Sequence, residues 1–214
     1  MKIALITIAK PRPGSGDGIT EYTYQLYKIL KRTLNIDLIY AINAMGRRDI
    51  IGLLKTNLFS YNVNKIIHSN YDIVHITNHE IGSLAKKIKQ KHPDTIIVTT
   101  IHDLFRLNFK NERNLFQKVY SMVVKNNIRD AINYSDFLIF NSTQTENDVN
   151  MHFPNLNRSK CRVVSNGVNE FFFKKIPKKS NPKTFVVGYV GSLAAHKNVT
   201  AILSIANLLK TQSL

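Results

Sequence analysis

A single cysteine, Cys161, stands in 214 residues. It excludes a disulfide framework and a cysteine-based zinc site, and it suits a reducing compartment. No apolar run reaches the roughly eighteen residues that a membrane-spanning helix needs. The opening Met-Lys-Ile-Ala-Leu-Ile-Thr-Ile runs straight into a strand pattern without a small-residue cleavage site, so no signal peptide is read and a cytosolic location is expected. Acidic residues are few: 14 Asp+Glu stand against 30 Lys+Arg, a net charge of +16. That excess suits an anionic partner (nucleotide phosphate, lipid head groups or nucleic acid), or it reflects only a Lys-, Asn- and Ile-rich composition. The charge is spread along the chain rather than packed into one block. A hydrophobic fraction of 43% with 21% charged residues excludes disorder of the whole chain.

What the chain does have is one strand signal that orients the rest. Thr95–Asp103 reads TIIVTTIHD, a β-branched run after the Pro93-Asp94 turn that ends in a His-Asp pair. Such a run predicts a buried strand of a parallel sheet. In open α/β sheets ligands bind beyond the carboxyl ends of the strands, which makes His102 and Asp103 the candidate centre of a site.

Around this strand the pattern alternates. Residues 2–8 predict a first strand, followed by the glycine-rich Lys10–Gly18, with Thr20 as an N-cap and Ile19, Tyr22, Leu26, Ile29 and Leu30 at helical spacing. Strand, glycine loop and helix N-terminus together offer backbone N–H groups to an anion, although a flexible turn reads the same way. The loop is neither G-x-G-x-x-G nor a P-loop. The second strand, 36–42, ends without the acidic residue that would hold an NAD ribose, which argues against a dehydrogenase.

Further on, 48–69 predicts a helix, 72–76 a strand and 81–91 a helix whose Lys86, Lys87, Lys89 and Lys91 form a solvated face. His75 and His79 carry no assigned role, and no metal site is inferred. Residues 112–134 predict the longest helix, with Phe116, Val119, Tyr120, Val123 and Ile128 toward the core. Its Lys118, Lys125 and Arg129 share another face, suited to an anionic membrane or acidic acceptor, or to plain solvent. A strand at 135–142 leads to a helix capped by Ser142 or Thr143, and a last strand at 161–164 closes on Ser165-Asn166-Gly167.

The expected organisation is therefore α/β: a Rossmann-like parallel sheet with helices on both faces over 1–173, a basic Pro-containing linker over 174–183, and the first strand-helix unit of a second Rossmann-like domain over 184–214. One strand and one helix cannot enclose a core, so the second unit reads as truncated.

Four pieces in order resemble glycosyltransferase family 4, the retaining nucleotide-sugar enzymes of GT-B architecture, and particularly its mannosyltransferase-like members. They are the glycine loop running into Gly18–Leu26, the strand Val98–Leu104, the Ser135–Ser142 stretch leading to Val163–Asn169 and Phe171, and Val190–Leu193 with His196-Lys197-Asn198. The resemblance implies an acceptor-side first domain and a nucleotide-sugar-binding second one. It implies transfer of a hexose, with mannose the first candidate, to a glycan or lipid-linked acceptor with retention. It places Gly16, Gly18 and Gly191 near the donor, Lys197 and His196 on its phosphates, and His102 with Asp103 as the catalytic pair against the donor sugar. Arg106 and Tyr22 are the acceptor-side candidates.

No metal and no cofactor is expected, because backbone N–H groups and a fixed lysine can stabilise the departing diphosphate. The chain departs from the family pattern where arginine is usual, holding Ser192, Leu193 and His196, and it has no Glu after Glu170, where an acidic donor-binding motif would stand. The expected chain is thus inactive or nearly so alone, and the alternative is a non-catalytic binding module or half-enzyme completed by a partner chain. Nucleic acid is not an expected partner, since neither a stacking motif nor a recognition helix accompanies the charge.

Overall fold

The computed structural model describes residues 1–9, 18–42, 69–108, 115–168, 170–174, 188–191, 193 and 197–211. Residues Met1–Gly167 form one compact unit and Val168–Leu214 a second. The predicted helix at 48–69, Gly16 and most of its loop, the linker from 175 onward, residues 185–187 and His196 lie outside the described residues.

The first unit is an all-parallel sheet of β1 (Lys2–Ala9), β2 (Asn35–Ile42), β3 (Ile73–Ile76), β4 (Ile96–Ile101), β5 (Phe137–Phe140) and β6 (Cys161–Val163), in the order β2-β1-β3-β4-β5-β6. Helices α1 (Gly18–Leu30), α2 (Ser83–Lys91), α3 (Phe105–Asn108), α4 (Leu115–Tyr134) and α5 (Thr143–His152) alternate with the strands. This is a Rossmann-like α/β domain.

Residue alternation along β1 explains the two helical layers. Ile3 and Leu5 project to one face and pack with Ile36 against Leu26, Tyr27 and Leu30. Ala4 and Ile6 project to the other, joining Val74, Ile76 and Ile97 against Leu84, Ala85 and Ile88 of α2. A strand apolar on both faces can be satisfied only when both are covered. A third cluster joins Ile101, Leu138 and Phe140 to Tyr120, Val124 and Ile128 of α4 and Val149 of α5. Each fully buried Leu or Ile here contributes about 1.5–3 kcal/mol of transfer free energy.

Two local expectations are corrected. Helix α1 begins at Gly18, two residues before the predicted cap, so Thr20 lies inside the first turn and is buried. In α4 the core-facing strip is Tyr120, Val124, Ile128 and Ala131, with Val123 packed against it as expected, while Val119 is 38% exposed. The helical phase is set by where α4 meets α2 and β4, not by its apolar residues alone. The Ser142 cap holds: its Oγ accepts from the Thr145 N–H at 3.1 Å.

The second unit contains a 3-10 turn over Glu170–Phe173 and α6 (Thr200–Thr211). Residues 188–191 form no strand. Asn198 adopts φ 47°, a left-handed conformation that Asn tolerates better than most residues, just before α6.

Candidate functional site

From β1 the chain crosses to β2 on one side, and β3 then takes the other side. That reversal opens a crevice at the carboxyl ends of β1 and β3, the usual ligand position in such sheets. Three segments converge there: the first turn of α1, Thr77–Glu80 after β3, and His102-Asp103 after β4.

The β3 exit is shaped by Asn78, whose Oδ1 accepts from the Glu80 N–H at 2.8 Å and starts a 3-10 turn over His79–Ile81. The turn buries His79. Beside it, His102 is only 6% exposed. The His102 Nε2 is 2.9 Å from the Thr77 carbonyl oxygen. A carbonyl only accepts, so Nε2 donates, and in the neutral ring Nδ1 carries the lone pair. The His102 backbone N–H points at His79 Nδ1 across 3.4 Å. On the other side the Thr145 hydroxyl donates to the His102 carbonyl at 3.0 Å. His102 is thus held by main chain and side chain together.

Beneath this histidine lies a polar layer between α1 and the sheet. Tyr22 stands edge-on to His102, with ring centroids 4.9 Å apart. Its hydroxyl lies 3.3 Å from Thr100 Oγ1, which in turn meets His75 Nε2 at 2.8 Å. Thr23 and Thr77 join hydroxyls at 2.8 Å, and Thr77 Oγ1 donates to the Ile6 carbonyl. Burial pushes the Tyr22 phenol up, an effect its bond to Thr100 opposes. Burial, and then the neighbouring charge of His102, lower His75 to about 4. Burial lowers His79 too, against the opposing pull of Glu80 and Asp103.

Sequence reasoning left His75 and His79 without a role, and the structure brings both into the network around His102. Their signal was position: His75 lies inside β3 and His79 just beyond its end, but only the strand order makes β3 the neighbour of β4. Glu21 was also missed. It occupies the first turn of α1, and Gln25 Nε2 donates to its Oε1 at 2.7 Å. Its Oε2 is buried with no hydrogen-bond partner among the described residues.

The other candidates divide. Asp103 is exposed next to His102. Arg106 falls in α3, and its side chain is outside the described residues. Gly18 opens α1 with nothing within 4 Å of where a Cβ would stand, so close packing does not require glycine there. In the second unit Lys197 is exposed just before Asn198. Gly191 has φ 156°, and a Cβ there would meet the Tyr189 hydroxyl at 2.6 Å.

The model of Glycosyltransferase Family 4 matches residues 51–170, more than half of the chain. The chain belongs to glycosyltransferase family 4. The matched span contains β3 through β6, His79 and His102; Tyr22, Gly18 and Lys197 lie outside it. No curated protein matches the chain. Among the described residues no helix is long and apolar enough to cross a membrane.

Proposed function

We propose that the first unit is the acceptor-side half of a retaining hexosyltransferase that draws its sugar, with mannose the first candidate, from a nucleotide-sugar donor. The observation that carries this reading is His102, held at the end of β4 within the family-matched span by Thr77, Thr145, His79 and Tyr22. An imidazole restrained in this way can orient a sugar hydroxyl with little entropic cost. The orphan Glu21 carboxylate oxygen has the chemistry to accept a second hydroxyl. Charge developing on the departing diphosphate would be met by the α1 N-terminus, needing no metal. The acceptor is a glycan or a lipid-linked sugar.

In the second unit Val190, Leu193, Leu203 and Leu208 are exposed. Cover by a further domain or a partner chain suits that apolar surface.

The test is transfer from labelled nucleotide hexoses to glycan and lipid-extract acceptors, with the anomeric configuration of any product read by NMR. Transfer with retention that falls at least a hundredfold in His102→Ala supports the reading. Saturable sugar binding without transfer, with the second unit covered by added partner, supports the half-enzyme form. Neither transfer nor sugar binding overturns it.

A further inference from the structure

One apolar strip of the first unit faces outward. Leu115, Val119 and Met122 are 74%, 38% and 60% exposed. At spacings of four and three they share one side of α4, roughly opposite the buried Tyr120, Val124 and Ile128. Along one flank of the strip run Lys118, Lys125 and Arg129, all exposed. Arg129 bonds Asn126 Oδ1 at 3.0 Å, a neutral partner that leaves its charge uncompensated by that bond. The one acid of α4, Asp130, is half-buried on the far side of the strip.

We propose that this face of α4 docks the protein onto an anionic lipid surface. The charge pattern selects that occupant: a protein partner of mixed charge would be met by both signs, whereas this face offers three cations and an apolar strip. In an interfacial helix the apolar side chains enter the boundary between head groups and acyl chains, and Lys and Arg stems lie along it while their charges reach the phosphates. The inference goes beyond the transferase reading and does not depend on it.

A second basic cluster, Lys28 in the last turn of α1 with Lys31 and Arg32 just after it, supplies the control. It is exposed too, but Lys31 sits 5.1 Å above the Tyr27 ring and the exposed aliphatic residue beside it is Ile29 alone. Charge without an apolar strip gives weaker interfacial binding.

The experiment is flotation of the full chain with vesicles of phosphatidylcholine alone and of phosphatidylcholine mixed with phosphatidylglycerol, at low and at near-physiological salt. Binding is expected on the anionic vesicles only and weakens as salt rises. Replacing Lys118, Lys125 and Arg129 together by Glu lowers affinity roughly a hundredfold or more, at about fivefold per cation removed. Leu115→Ser with Met122→Ser lowers the binding that survives at higher salt. Lys28, Lys31 and Arg32 replaced together by Glu, the same change in net charge, costs less than a tenth of the α4 effect. Equal loss from the two triple variants, equal binding to both vesicle types, no vesicle binding, or self-association through the α4 face would each overturn the proposal. All substituted side chains are exposed, and circular dichroism confirms that the variants are folded.

Discussion

Tyr22 and His102 meet edge to face at an interplanar angle of 81°, joining the first turn of α1 to the end of β4. Eighty residues of chain separate the two, and the sheet order brings them together. Substituting Tyr22→Phe keeps the ring contact and removes only the long bond to Thr100, a cost of about 0.5–1 kcal/mol. Tyr22→Ala removes the wall beside His102 and costs about 2–4 kcal/mol. Urea unfolding distinguishes the two, and sugar affinity should fall in Tyr22→Ala but hold within about threefold in Tyr22→Phe.

Stability should drop on mild acidification. His75 is buried and bonded to the Thr100 hydroxyl, and burial lowers it to about 4 from an ordinary 6.5. A histidine that resists protonation in the fold but accepts it when unfolded favours unfolding as protons are added. Its contribution is complete above about pH 6.5 and is lost progressively toward pH 4, on the order of 3 kcal/mol in all. His79, lowered in the same direction, adds to the slope. In His75→Gln the pH dependence of urea midpoints between 6.5 and 4 becomes shallower; an unchanged slope contradicts the assignment.

Gly82 is a matter of space rather than backbone freedom. Its φ is −61°, ordinary for any residue. A Cβ there would overlap the Asn127 carbonyl oxygen and come within 2.8 Å of Ala131 Cβ. Gly82→Ala should therefore push α2 from α4 and destabilise by about 1–3 kcal/mol, measured by thermal or urea unfolding. Because the 3-10 turn that carries His79 ends on Gly82, the same variant should also disturb the His79 environment in NMR spectra.

The alternation of strands and helices was legible because parallel strands buried on both faces leave short β-branched runs in the sequence. His102 was legible as the end of such a run. Its partners were not: Tyr22, Thr77 and His79 become neighbours only through the order β1-β3-β4, and one sequence does not display strand order. Thr20 misled because it is a good capping residue two positions inside a helix that begins at glycine. Val119 misled because an apolar residue on a helix need not face the core. The lysines of α2 read as solvated, yet Lys89 binds Asp136 at 2.9 Å and the Thr95 carbonyl at 2.7 Å, a long-range pairing that spacing cannot reveal.

That pairing yields its own expectation. Asp136 also accepts from the Ile97 N–H at 2.7 Å, tying the start of β5 to β4. Asp136→Ala should cost about 1–2 kcal/mol, and Lys89→Met, part-exposed and screened, about 1 kcal/mol or less. Their double variant should cost less than the sum, since both remove the same contact.

The central claim is that His102 reads a sugar. The most direct measurement is NMR of the histidine ring nitrogens and backbone amides of the full chain during titration with nucleotide hexoses, the free nucleoside diphosphates and free hexoses. The account predicts a His102 ring with a proton on Nε2, and saturable shifts at His102, Tyr22 and His79 that require the hexose. Saturable shifts elsewhere that leave these three unmoved, or equal shifts with nucleotides lacking the sugar, would contradict it.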